Sequence, residues 1–65
     1  MEEIDLYRTG AAMIQQHGEN AAIEAAMKSD AMLAKGDVKG AKIWREIVKK
    51  IDILQSQKID GITQH

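Results

Sequence analysis

Residues 35–50, KGDVKGAKIWREIVKK, place a glycine turn ahead of a helix rich in lysine and arginine, and the fold depends on how that turn is read. In one reading Gly36 is the turn of a helix-turn-helix unit and the basic helix enters a DNA groove. That motif needs apolar residues at fixed offsets around its turn glycine, where they lock the two helices together. Here those positions hold Ala31, Lys35, Asp37, Lys42 and Arg45, and four of the five are charged. In the other reading the helix turns Ile43, Trp44 and Ile47 toward the preceding helix and closes a tighter antiparallel hairpin. The residue types favour the hairpin.

Working outward, Gly18 and Gly36 each end an apolar-periodic run, and a helix-starting polar residue soon follows each, Asn20 and Asp37. This spacing predicts an all-α chain, a compact three-helix bundle with helices at about residues 4–17, 20–35 and 38–56. Residues 1–56 then form the domain and residues 57–65 a polar C-terminal tail. Asp5, or the acids just before it, is placed to cap the first helix and complement its dipole. The Gly36-Asp37 turn followed by Ala41 is similar to that of a tetratricopeptide helix pair. The preceding helix lacks that repeat's large anchors and only one copy exists, so the similarity is one of turn chemistry.

Composition narrows the function. A chain of 65 residues buries only about 60% of the surface that its unfolded form exposes, which leaves little core to spare for a catalytic cleft. With no cysteine and no proline, disulfides, thiol chemistry and thiolate metal sites are excluded. The opening Met-Glu-Glu-Ile-Asp is acidic, and no apolar stretch approaches the roughly 20 residues that cross a bilayer. A soluble, cytoplasmic protein is expected. The net charge of −1 hides a division: residues 1–37 carry seven acids against three bases, about −4, and residues 38–65 carry six bases against three acids, about +3. Either the basic half meets an acidic partner, or the two halves attract one another in the fold.

At 100° per residue, the first helix gathers Leu6, Tyr7, Gly10, Met13, Ile14 and His17 on one side. The third gathers Gly40, Ile43, Trp44, Ile47, Val48, Ile51 and Leu54. The second spreads Ala22, Ile23, Ala26, Met27, Met32, Leu33 and Ala34 over a broad arc interrupted by Ser29 and Asp30, as expected of a helix with neighbours on two sides. Trp44, the single tryptophan in a chain without phenylalanine, is the expected core anchor. Gly10 and Gly40 lie on apolar faces inside helices, where each costs about 1 kcal/mol of helix propensity relative to alanine. The expectation is that each makes room for a close neighbour, Gly40 for a bulky one beside Trp44. Ile53, Ile59 and Ile62 have no obvious home in a monomer, and weak homodimerisation would cover them.

Two groups of polar residues are candidate sites. Lys39, Lys42, Arg45, Lys49 and Lys50 form a basic stripe along the third helix, a candidate interaction face. Phosphate contacts are open to it. Against nucleic acid stand Glu46 within the stripe, the overall acidity and the want of an exposed aromatic to stack bases. The other group is a candidate buried polar network: Asp30, within the second helix's apolar arc, met by Tyr7, Arg8, His17 or the indole N–H of Trp44. The loop from Gly36 to Lys42 falls one residue short of a phosphate-binding loop and has no Ser or Thr after the lysine. His17 and His65 have no ligand partner at helical spacing, and Thr9, Ser29 and Ser56 have no nearby base. No catalytic, metal or cofactor residue is therefore assigned.

The runs DLYRTGAAMIQQHG and KSDAMLAKGD, with the tryptophan of KIWREIVKKIDILQ, resemble a family of short, uncharacterised bacterial proteins associated with alphaproteobacteria. The resemblance spans about residues 5–54 through Tyr7-Arg8, Gln16-His17-Gly18, Asp30, Gly36-Asp37 and Trp44. It implies a small all-helical cytoplasmic protein and carries no activity. The sequence as a whole reads as a non-enzymatic interaction or regulatory module that presents a helical surface to another protein. The alternative is a weak nucleic-acid accessory factor using the basic face of the third helix.

Overall fold

The computed structural model describes residues 2–63, with side-chain surroundings for residues 2–56. Among them the chain is helical throughout, without a strand. α1 spans Glu3–His17, a 3-10 turn follows at Gly18–Asn20, α2 spans Ala21–Ala34 and α3 spans Val38–Thr63. α1 and α2 fold back on one another at Gly18, and α3 lies against both.

Two expected boundaries are corrected. At Gly18 there is no loop: the helical backbone runs from residue 3 to residue 34 by way of the 3-10 turn, so the chain comprises two helical runs, the first sharply bent. Gly18 makes the bend at φ 57° and ψ −126°, a conformation open essentially to glycine alone, while its N–H still bonds to the Ile14 carbonyl. The Asn20 side chain makes no capping hydrogen bond, and none is needed where one helical segment feeds the next. At the other end α3 continues past residue 56 to Thr63, through Gln, Ser and Lys residues that a helix accepts at small cost. Of the expected tail, Gln64 and His65 lie outside the described residues. The long helix makes the molecule a rod of 46 × 22 × 17 Å. Its radius of gyration, 12.5 Å, exceeds the roughly 11 Å of a compact domain this long.

The turn between α2 and α3 is built by Gly36 and Asp37. Gly36, at φ 82°, donates its N–H to the Leu33 carbonyl at 2.9 Å, and Asp37 donates to the Met32 carbonyl at 2.8 Å. These two bonds are the Schellman closure of a helix C-terminus. Asp37 then reverses role. Its carboxylate accepts the Gly40 N–H at 2.9 Å and its carbonyl accepts the Ala41 N–H at 3.1 Å, which starts α3. One residue thus ends α2 and begins α3. At the first helix the expected side-chain cap does not form, since α1 begins at Glu3 and Glu2 makes no capping bond, but Glu3 and Asp5 sit in the first turn and complement the dipole as expected.

The core is small. Met13 of α1, Ala21 and Ala25 of α2, and Ala41, Ile47 and Ile51 of α3 are buried, with Leu6, Ile14, Ala22, Trp44 and Val48 packed partly buried around them. Trp44 is therefore at the margin of the core, and the largest fully buried side chains are Ile47 and Ile51. The indole lies under the Lys28 ammonium, 5.4 Å from the ring centroid, a cation–π contact at the edge of the core. Gly10 has the expected reason: a Cβ there would meet Ile51 Cγ1 at 3.4 Å and Ile51 N at 3.6 Å, so α1 and α3 approach closely at this point. Gly40 has a different one. The space over it is taken by the Asp37 carboxylate, 2.6 Å from where a Cβ would stand, and not by a bulky apolar neighbour.

Candidate protein-interaction surface

α2 buries three small residues and turns Ile23, Met27 and Leu33 outward. Ala21, Ala25 and Ser29 recur every four residues and form a flat strip on which Met13, Ile47 and Ile51 pack. Ser29 seals the strip by donating its hydroxyl to the Ala41 carbonyl of α3 at 3.0 Å. With that strip inward, the geometry of a 3.6-residue helix carries Ile23, Met27, Asp30 and Ala34 to the opposite side. Ile23 is 60% exposed and Met27 57%, and Leu33 and Ala26 are exposed beside them. Most of the broad apolar arc expected to face two neighbours inside the protein is thus surface. The signal for this was present as the spacing of Ala21, Ala25 and Ser29. Hydrophobicity outweighs size when an arc is read from composition, although only small residues let two helix backbones come close.

The candidate polar network does not assemble. Asp30 and Arg8 are exposed, while Tyr7, His17 and Trp44 are half-buried. No side-chain hydrogen bond joins any two of the five among the described residues. The buried polar residue of α2 is Ser29, one position before Asp30, and its single hydroxyl is satisfied by one carbonyl.

The basic stripe survives in part. Lys39, Lys42, Arg45 and Lys49 are exposed, and Lys49 is paired with Glu46 of the same helix at 3.1 Å. Lys50 does not belong to it. Its side chain is only 13% exposed and lies against α1, with Nζ 5.1 Å from the Tyr7 ring centroid and 3.7 Å from Glu3. It is the one described ion pair between the acidic and basic halves of the chain. Leu6 and Ile43 floor a shallow open groove between α1 and α3, rimmed by Lys42 and Glu46.

Among the described residues no three His, Cys, Asp or Glu side chains are grouped closely enough to hold a metal ion, and no helix is long and apolar enough to cross a membrane. No protein-family model, curated protein or solved structure matches the chain.

Proposed function

We propose that the chain is a non-enzymatic protein-interaction or regulatory module of the cytoplasm, and that the surface it presents is the outer face of α2. The observation that carries this reading is the inversion within one helix, with Ala21 and Ala25 fully buried while Ile23 and Met27 face water. Contiguous exposed apolar side chains on a small protein mark an interaction site, since leaving them in water opposes stability and solubility. An amphipathic helix that lays its apolar face against a partner is a common way for one protein to engage another.

A second reading, a weak nucleic-acid accessory role, rests on exposed Lys39, Lys42 and Arg45. The two separate in one experiment. A photo-crosslinking amino acid at position 27, with position 16 as an exposed control, is irradiated in cells and the lysate treated with nuclease. Protein adducts specific to position 27 that survive nuclease are the expected result. Equal adducts from both positions, or none after nuclease, would overturn the reading.

A further inference from the structure

We infer that the occupant of the outer α2 face is a second copy of this chain, its α2 lying antiparallel across the first; this rests on the proposed interaction role of that face. Ile23, Met27, Ala34 and Asp30 are the seam at the four-three-four spacing of helix pairing. A two-fold axis midway between residues 28 and 29 sets Ile23 against Ala34 of the second copy, a large side chain against a small one, and Met27 against Asp30. The same register brings Glu24 of one copy and Lys35 of the other, which share a flank of the helix, to within about 3 Å of each other along the axis at 1.5 Å per residue. It does so twice, once on each side of the two-fold. On the opposite flank it lays exposed Leu33 over Ala26. One register therefore sets large against small and opposite charges together on the flank, as an isologous interface requires, and leaves Asp30 against Met27 as its one unfavourable pairing.

Asp30 sets the strength. The register holds the two Asp30 carboxylates about 4.5 Å apart along the axis, so like charge opposes association and keeps it weak and reversible.

The test is sedimentation equilibrium of the full chain across micromolar to millimolar concentration. A monomer–dimer equilibrium is expected, with Met27→Glu abolishing it and Asp30→Leu tightening it by more than about tenfold. Glu24→Lys alone should weaken association by about tenfold, and Glu24→Lys combined with Lys35→Glu should restore it. Because Lys35 is exposed and Glu24 only partly buried, the rescue remains readable even if Met27→Glu fails to fold. A chain that stays monomeric throughout overturns the inference, as does a dimer that the charge exchange leaves unrescued. Position-27 crosslinks to a different protein by a monomeric chain would overturn the second copy alone and leave the interaction role standing.

Discussion

Ser29 and Asp30 are adjacent in sequence and opposite in environment, which shows how finely a helix sorts its residues. Ser29 is 3% exposed and bonded to the Ala41 carbonyl, whereas Asp30 stands in water on the far side. Ser29→Ala keeps the close packing and loses one hydrogen bond, and should cost about 1 kcal/mol in a urea melt. Ser29→Leu should cost more by forcing α2 and α3 apart. For the large residues the order of importance is set by burial and not by size. Ile51→Ala empties a fully buried site and should cost about 2–5 kcal/mol, which is much of what a chain this size has. Trp44→Ala removes a partly buried ring at the margin of the core and should cost less. A Trp44→Ala variant less stable than Ile51→Ala would show that the indole carries more of the core than its position gives it. At Gly10, alanine fits at van der Waals contact with Ile51. Gly10→Ala should therefore be neutral or stabilise by up to about 1 kcal/mol through helix propensity, and Gly10→Val should destabilise.

The α2–α3 turn is the element on which the hairpin depends, because one short stretch both stops and starts a helix. Gly36→Ala must hold a side chain at φ 82° and should cost about 1–2 kcal/mol. Asp37→Ala leaves the Gly40 N–H without its acceptor and should cost about 1 kcal/mol. Since both changes loosen the same turn, the double variant should cost less than their sum, a coupling that urea melts of the four proteins would measure. Simple additivity would mean that the C-terminal closure of α2 and the cap of α3 act independently. Gly18 holds the other bend in a glycine-only conformation, and there the carbonyl also accepts the Gln55 side-chain amide of α3 at 3.2 Å, which ties the corner to the long helix.

At the scale of the molecule, the division of charge into an acidic and a basic half brings one described ion pair between them, Glu3 with Lys50. Reversing Lys42, Arg45 and Lys49 to glutamate changes the net charge from −1 by six, to −7, while removing only the exposed Lys49–Glu46 pair, and exposed pairs contribute about 0–1 kcal/mol. The triple variant should melt within about 1 kcal/mol of the parent. The parent itself should bind duplex or single-stranded nucleic acid no tighter than the roughly 10⁻⁴ to 10⁻⁶ M of non-specific association at physiological salt. Salt-sensitive nanomolar binding in the parent, lost in the variant, would move the function to the basic face of α3.

By itself the sequence determined the helical class, the turn at Gly36-Asp37, and the core stripes of α1 and α3, because each of these is written in short-range terms: glycine at a left-handed position, an acid at a helix start, apolar residues every third or fourth place. What it left undecided was which side of α2 faces inward. That helix offers two plausible interiors, one of small residues and one of large. The choice belongs to the tertiary structure, since it depends on how near α1 and α3 must come to α2. Their close approach, seen at Gly10 against Ile51 and at Ser29 against Ala41, puts Ala21, Ala25 and Ser29 at the buried centre of the contact. Ile23 and Met27 are turned to the surface as a result, and with them the face on which the proposed function rests.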